Sequence, residues 1–460
     1  MTSDRKLMRI LLINPPRSPL NNILEYAPEE AKHFIHKKLI GPPLGLLTVA
    51  AAVKHHDICL IDLKGEIDLL EAKGLYEEAR NWTSVVEKYI LNFNPDIVGV
   101  TFIASEFNAG LKIFRLAKML KPELITFAGG LHTTLCPGDF ATDGVDYVCP
   151  GQSAAMFRQL VDALEDGHPV DSVGGWLKHD GRGHLISSPL PAVFRDAAGQ
   201  DYLHPDRDLL KPWISTYHVG GHPSPSTYLF TSLGCQHRCT FCSIWKQYCG
   251  AYSQRDCESI IEELKSIRDY EVVRFADANT VVDIAFINKL FDRIEEEGIR
   301  KEFIMDIRFD TAAEYPELIG KLARGGLKVV ICGFESFRES ELKKYRKGTN
   351  AALIEKAISV FHDHDIMLRG NYVIPNDYDD NDFDALAEYA SAHRVVYAGY
   401  TILTPMPGTD YYEEMKDRIV DTCLDKYNFF NCVLPTRMPL EEFYAKVGAL
   451  WLIKKGKDVI

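Results

Sequence analysis

The sequence predicts an α/β chain built on two parallel sheets: a Rossmann-like domain of flavodoxin type, then a partial (β/α)6 barrel, then a small helical carboxyl-terminal region. Three observations predict it. Short apolar, β-rich runs alternate with helical patterns, once before residue 165 and again after residue 224. Between the two series the periodicity fails and Pro, Gly, His and Asp accumulate, which marks a linker. At 460 residues, 46% apolar and 25% charged, the chain has the composition of two or three globular domains of about 150 residues each, and not that of a disordered or membrane-spanning chain. The expected divisions are 1–165, a linker over 166–223, 224–410, and a helical region over 411–460.

In the first series the predicted strands are Arg9–Ile13, Ile58–Ile61, Ile97–Phe102, Leu124–Phe127 and Tyr147–Val148. Each runs into turn residues, among them Asn14-Pro15-Pro16, Ala104-Ser105 and Gly129-Gly130, and in a doubly wound sheet the ligand sits beyond these carboxyl ends. Within the linker, Trp176–Ser187 reads as a hairpin turning at Asp180-Gly181-Arg182-Gly183. The second series has strands near Tyr228–Thr231, Val272–Phe275, Phe303–Ile307, Val329–Cys332, Met367–Val373 and Val396–Ile402, with helices such as Cys257–Asp269 and Asp283–Glu297 between them. Six βα repeats suit a partial barrel, whose chemistry gathers at the carboxyl ends of its strands. The closing run FYAKVGALWLIKKGKD is amphipathic; a helix packed on the barrel is the expected reading, and peripheral contact with a membrane the alternative.

The net charge is −13 and no basic run is long enough to track phosphates, so nucleic acid is not an expected partner. Leu44–Val53, the longest apolar stretch, falls short of the roughly 20 residues of a membrane helix, and the apolar core near the start is too short for a signal peptide. The expected compartment is the cytoplasm. Eleven cysteines in so long a chain are too sparse for a disulfide framework, and a reducing compartment keeps them as thiols or metal ligands.

Three of the cysteines stand in TSLGCQHRCTFCSIW. Cys235, Cys239 and Cys242 follow a Cys-x3-Cys-x2-Cys spacing directly after the first strand of the second series. Thiolates this close in sequence converge on one centre only if the loop wraps around it, and Gly234 allows the bend. Structural zinc takes four closed ligands and an electron-transfer cluster usually four cysteines, so a triplet points to an iron–sulfur cube with one iron open to substrate. A fourth ligand from Cys249 or His237 would restore a zinc site.

With Phe241 just before its last cysteine, the triplet resembles the signature of the radical SAM enzymes. The resemblance extends over about residues 224–410. FADANTVVD (Phe275–Asp283), DIRFD (Asp306–Asp310), ICGFES (Ile331–Ser336), GNYVIPND (Gly370–Asp377) and TPMPGTDYY (Thr404–Tyr412) are similar to motifs at the ends of the second to sixth strands, although many relatives have Gly where Pro375 stands. The resemblance implies a [4Fe-4S] cluster on Cys235, Cys239 and Cys242, whose open iron holds S-adenosylmethionine and whose electron splits it to a 5′-deoxyadenosyl radical. It implies contacts to S-adenosylmethionine from Phe241, Asp277, Arg308, Gly333, Glu335, Ser336, Asn371 and Pro405. The structural alternative is an ion-pair network of Glu335, Arg308 and Asp310 in the barrel mouth.

In the first series, LLINPPR (Leu11–Arg17), GPPLGLLTVAAAV (Gly41–Val53), GVTFIASEFN (Gly99–Asn108), FAGGLHTT (Phe127–Thr134) and DYVCPGQSA (Asp146–Ala154) follow one another in an order that resembles the cobalamin-binding domain fused to radical SAM enzymes. This implies cobalamin contacts at Asn14, Leu44, Gly45, Ser105, Glu106, Gly129, Gly130, His132, Gly151 and Gln152, where relatives often have Glu in place of Gln152. The Asp-x-His-x-x-Gly motif that brings a histidine to cobalt in other cobalamin proteins is absent, and His132 is expected to bond backbone or the corrin's amide fringe.

Together the two resemblances imply a cobalamin-dependent radical SAM C-methyltransferase acting on an unactivated carbon of a small molecule or lipid. Its cofactors would be a [4Fe-4S] cluster, S-adenosylmethionine and cobalamin, and a reducing donor such as flavodoxin or ferredoxin its partner. The segment YNFFNCVLPTRMPLEEFYAKVGALW is similar to the end of hopanoid C-3 methylases, and a barrel mouth lined by Tyr and Phe would suit an apolar polycyclic lipid. A radical SAM cyclase would share every motif. A methylthiotransferase would need a second cysteine set in the first domain, where Cys59, Cys136 and Cys149 are scattered. A non-enzymatic cobalamin-binding sensor leaves the triplet without a purpose.

Overall fold

The structure, a computed structural model, describes residues 7–35, 41–151, 154–168, 170, 173–188, 202–218, 224–393, 395 and 397–453. Gln152 lies outside them. The first sheet contains β1 (Arg9–Asn14), β2 (Asp57–Asp62), β3 (Ile97–Thr101), β4 (Ile125–Gly129), β5 (Tyr147–Val148), β6 (Leu177–His179) and β7 (Leu185–Ser187), in the order β2-β1-β3-β4-β5-β6-β7. The first five pair in parallel. This is the flavodoxin-type winding, with its switch point between β1 and β3. Residues Ile10 to Ile13 are buried without alternation, as expected of a parallel strand covered on both faces. The predicted hairpin is β6–β7. It adds antiparallel to β5, so the expected linker begins by extending this sheet.

The second sheet is all parallel. It contains β8 (Ser226–Leu229), β11 (Val272–Phe275), β12 (Glu302–Asp306), β13 (Leu327–Glu335), β14 (Met367–Ile374) and β15 (Tyr397–Ile402), laid down in chain order with β8 and β15 as its edges. Between β8 and β11, β9 (Ser232–Gly234) and β10 (Tyr252–Gln254) form a separate antiparallel ribbon that the sequence pattern does not announce. Residues on β11 to β14 alternate. Val273, Phe275, Phe303, Met305, Val330, Cys332, Leu368 and Tyr372 are buried, whereas Arg274, Asp306, Ile331 and Arg369 remain partly accessible and Asn371 is exposed. One face of this sheet is thus covered, and the other, the open face, sets partly accessible polar side chains beside the buried Val272 and Ile304 with Val329 and Ile331 packed against them.

By packing, the chain divides into one unit of Met1–Pro19 with Pro42–Tyr217 and a second of Leu20–Gly41 with His218–Ile460. The divisions expected from composition fell at 165 and 223. Residues Leu20–Gly41 belong with the second unit because Asn428 Nδ2 and Asn431 Nδ2 donate to Leu20 O (2.7 and 3.1 Å) and Tyr26 stacks on Tyr444. These partners are about four hundred residues away in sequence, which no local pattern reveals. The carboxyl-terminal region consists of short helical turns joined by coil, then a helix over Leu440–Leu450. The apolar side of that helix is spent within the unit: Phe443 packs edge-on to Phe383, and Gly448 lies against Ala27. Among the described residues no helix is long and apolar enough to cross a membrane.

Candidate functional site

The cysteine loop leaves the carboxyl end of β8 and is pinched shut at its base by the β9–β10 ribbon. Gly234 stands at φ +81°, and a Cβ there would lie 2.0 Å from Ala251 O, so only glycine closes the ribbon in this register. Inside the loop Arg238 donates to the carbonyls of Cys235 (3.0 Å), His237 (3.1 Å) and Gly250 (2.8 Å), while Trp245 Nε1 donates to Cys239 O (2.9 Å). The cations of Arg238 and Lys246 lie over the Trp245 ring. Phe241 meets Tyr345 edge-on at 5.6 Å. Side chains and backbone thus hold a bend that three thiols alone could not.

Cys235, Cys239 and Cys242 are free thiols that act on one another electrostatically. Burial pushes Cys239 up and Cys242 up to about 11, so these thiols become ligands only when a metal centre supplies the compensating charge. Among the described residues, two groups place three or more ligand atoms within 4.8 Å of one another, His55–His56–Asp162–Glu165 and His132–Cys136–Asp139, and the triplet belongs to neither. Thiolate ligands on one tetrahedral zinc would stand about 3.8 Å apart. The wider triplet fits a cluster better than a single ion. His237 and Cys249 do not complete a compact set with it, and Cys249 is exposed at φ +50°.

Around this loop, at the carboxyl ends of β11 to β13, the polar residues serve different ends. Asp277 is buried, and its carboxylate accepts from Thr231 N (2.8 Å), Thr231 Oγ1 (2.7 Å) and Ser232 N (2.8 Å). It therefore anchors the turn between β8 and β9, and burial pushes its pKa up to about 6. Two residues on, Asn279 Oδ1 and Thr280 Oγ1 are buried without a hydrogen bond, a pair of polar groups left for a ligand to satisfy. Arg308 grips Asp310 (2.7 Å) and donates to Lys347 O (2.8 Å), and Lys347 in turn pairs with Glu335 (2.7 Å). Of the ion-pair network posed as the structural alternative, Arg308 and Asp310 form one pair, while Glu335 pairs with Lys347, which the sequence motifs do not mark; the two pairs meet only through the Lys347 carbonyl. Gly333 faces the Glu335–Lys347 pair. Glu335 itself sits at φ +60°, where β13 shifts register against β14; a left-handed glutamate costs about 1–2 kcal/mol and marks a position held for a purpose. Ser336 Oγ donates to Glu341 and accepts from Arg338 N, which makes it a turn residue. Pro405 is buried beyond β15, and Asn371 stands on the open face of β14.

The open face has a charged floor. Arg274 donates through Nε (3.3 Å) and Nη2 (2.9 Å) to Asp306, and its guanidinium lies over the Tyr228 ring. Registers place Arg369 beside Ile331 and Asn371 beside Gly399 on the same face. The Tyr and Phe rings expected to line the mouth are mostly elsewhere: Phe334, Tyr372 and Tyr400 stack from strand to strand on the covered face. The period-two alternation of a strand puts them there, since each is one residue out of phase with Gly333, Asn371 and Gly399.

In the first unit the corresponding loops lie beyond β1, β3 and β4. Asn14 Nδ2 donates to Asp62 (2.8 Å), which also accepts from Tyr217 OH (2.7 Å). Glu106 is buried against Lys64 (2.6 Å), and burial still holds its pKa above the usual carboxylate range. Ser105 is buried beside it in sequence. Gly129 O accepts from Phe102 N, and Gly130 at φ +106° turns the chain where a Cβ would strike Phe102 N at 2.7 Å. His132 is turned inward, edge-on to Phe107, with Nε2 on Asp139 (2.9 Å), so its ring is engaged within the domain. Gly151 N donates to Thr134 Oγ1 (2.8 Å), Leu44 is buried and Gly45 is exposed with open space around it. With these side chains paired to one another, the rim fits a large ligand seated by shape and backbone.

The chain matches the B12 binding domain over residues 34–161 and the radical SAM superfamily over residues 229–390. It is 27% identical over 415 residues to the hopanoid C-3 methylase of Methylococcus capsulatus, covering 88% of this chain and 75% of that one. It is 28% identical over 418 residues to an uncharacterized methyltransferase of Pyrococcus horikoshii, covering 89% and 83%. In fold it is similar to the radical S-adenosylmethionine methyltransferase TsrM of Kitasatospora setae, solved with cobalamin and a [4Fe-4S] cluster bound, with a TM-score of 0.66, 16% identity, and 96% and 85% of the two chains covered. The two matches make this chain a B12-binding domain fused to a radical SAM domain, with the cysteine triplet at the carboxyl end of the first barrel strand, similar over most of its length to cobalamin-dependent radical SAM methyltransferases.

Proposed function

We propose that this chain transfers a methyl group to an unactivated carbon of a polar small molecule that carries charged or hydrogen-bonding groups. The observation that carries the substrate class is the open face of the second sheet, where Arg274, Asp306, Tyr228, Arg369 and Asn371 would confront a bound molecule. A sterol-like or hopanoid-like lipid would strip water from these groups and offer them no hydrogen bond in return, which is unfavourable.

When bound, the cluster and S-adenosylmethionine supply the radical that abstracts hydrogen, and cobalamin carries the methyl group. In this reading Cys235, Cys239 and Cys242 hold the cluster, and Arg238 and Trp245 keep their loop from opening. Asn279 and Thr280 offer their unsatisfied buried groups to S-adenosylmethionine, and the Glu335–Lys347 pair presents charge beside it. The Arg274–Asp306 pair orients the substrate. The rim at Ser105, Gly129 and Gly130 is the proposed seat of cobalamin.

The test is to incubate anaerobically reconstituted enzyme with methyl-labelled S-adenosylmethionine and with separate polar and lipid fractions of a cell extract. The expected result is label in the polar fraction, with S-adenosylhomocysteine and 5′-deoxyadenosine both released. Deoxyadenosine with no label transferred would turn the reading toward an oxidative ring-forming enzyme. Label confined to the lipid fraction would overturn the substrate class.

A further inference from the structure

The amino-terminal side of the first sheet, opposite the loops just described, carries a group that the methyl-transfer chemistry does not use. His55 and His56 immediately precede β2, and Asp162 and Glu165 close the helix Ala154–Glu165. One ligand atom from each of the four lies within 4.8 Å of all the others. His55 Nε2 is 3.3 Å from Asp162. His56 is only 7% exposed; its Nδ1 receives a long contact from Met8 N (3.3 Å), and its Nε2 is buried with no hydrogen bond. A buried imidazole nitrogen with no bond, in a group with a second imidazole and two carboxylates, is unusual unless something else satisfies it.

We propose that His55, His56, Asp162 and Glu165 form a structural zinc site that ties the start of β2 to the end of the helix Ala154–Glu165. Two imidazoles and two carboxylates are a borderline donor set that suits Zn2+ better than Ca2+ or Mg2+, which take oxygen ligands. Nitrogen and oxygen ligands on zinc stand about 3.3 Å apart, so small side-chain rotations from the observed spacing complete the tetrahedron. Binding costs little in existing bonds. If Nε2 of His56 is the ligand, the ring proton moves to Nδ1; if Nδ1 is the ligand, the metal takes its lone pair. For His56 the bond exchanged is the 3.3 Å contact from Met8 N; the metal also takes the place of the 3.3 Å contact between His55 and Asp162, and Asp162 has a further, 3.6 Å ion pair with Arg158. No cysteine takes part, which separates this site from the triplet.

The experiment uses the holoenzyme with its cluster in place, so that Cys235, Cys239 and Cys242 are occupied, and equilibrates it with Zn2+ alone. Metal content and the zinc X-ray absorption edge are then read for the unaltered chain and for His55→Ala and Asp162→Asn. Both substituted side chains lie near the surface and neither is part of the proposed cluster or cobalamin sites. The expected result is one zinc per chain with a shell of nitrogen and oxygen only. Since outer-shell partners alone are worth about 10–100-fold in metal affinity, losing a ligand should weaken zinc at least about 100-fold. Iron and cobalamin content should not change. Zinc with sulfur in its shell, zinc held equally by both variants, or no zinc bound at micromolar metal would each overturn the proposal.

Discussion

The two rims of this molecule, one at the carboxyl ends of each parallel sheet, solve different problems with polar residues. In the first, nearly every polar side chain has a partner of its own: Asn14 with Asp62, Lys64 with Glu106, Arg17 with Asp68, His132 with Asp139. In the second, the three thiols are in no disulfide, Asn279 and Thr280 have buried groups without bonds, and Glu335 is held in a left-handed conformation. A rim whose side chains satisfy one another can recognise a ligand only by contour and backbone. A rim with unsatisfied groups offers chemistry. The difference teaches that motif residues in the first rim chiefly serve the fold, whereas those in the second divide between fold and ligand.

The comparison can be broken at its strong end first. Replacing Cys235, Cys239 or Cys242 with Ala should remove essentially all cluster iron and 5′-deoxyadenosine release while cobalamin uptake persists, as read by metal analysis and visible absorption. Next, Arg274→Gln should lower methyl transfer by about 10–100-fold, because a hydrogen bond to a charged group is worth roughly 1.5–3 kcal/mol, with iron content unchanged. Unchanged product formation would remove the floor from substrate binding.

In the first rim, Lys64→Met leaves Glu106 buried and unpaired and should cost about 3–5 kcal/mol of stability, seen in denaturant unfolding. Lys64→Met with Glu106→Leu should recover most of it and still take up cobalamin. Stability regained with cobalamin uptake lost would show instead that Glu106 touches the cofactor, which would erase the contrast between the rims.

The smallest effect concerns Asp277. Its folded pKa of about 6 lies above the ordinary 3.8, so between those values the folded chain binds more protons than the unfolded one. Its contribution to stability is therefore fully present below about pH 4 and falls as pH rises toward 6. Asp277→Asn, which keeps an acceptor for Thr231 N and Ser232 N, should flatten that part of the stability profile of the cofactor-free chain.

Much of this was legible in the residues. β5 and β11 fall at their expected bounds, and the other strands of the two parallel sheets lie within a few residues of theirs, because runs of β-branched and aromatic residues between turn signals have few other uses. β8 ends before the expected Thr231 because the amide and hydroxyl of Thr231 bond Asp277 and not a neighbouring strand, a long-range competition that no window of sequence contains. The cysteine spacing points to the proposed cluster ligands, but not to Arg238, Trp245 or Lys347, which matter through contacts across the loop or from a distant helix end. The polar floor was within reach. Reading V-R-F, M-D and R-G-N with period two places Arg274, Asp306, Arg369 and Asn371 on one face and the aromatic rings on the other. Membership of Leu20–Gly41 in the second unit was not, since it rests on Asn428, Asn431 and Tyr444 far along the chain.

The central claim is that three thiols hold an iron–sulfur cube with one corner left open. Mössbauer spectroscopy of 57Fe-reconstituted enzyme with and without S-adenosylmethionine tests it most directly. The account predicts that one iron of four changes its signal when S-adenosylmethionine is added, while the other three do not. Four equivalent irons indifferent to S-adenosylmethionine would mean that a fourth protein ligand closes the cube, and would contradict it.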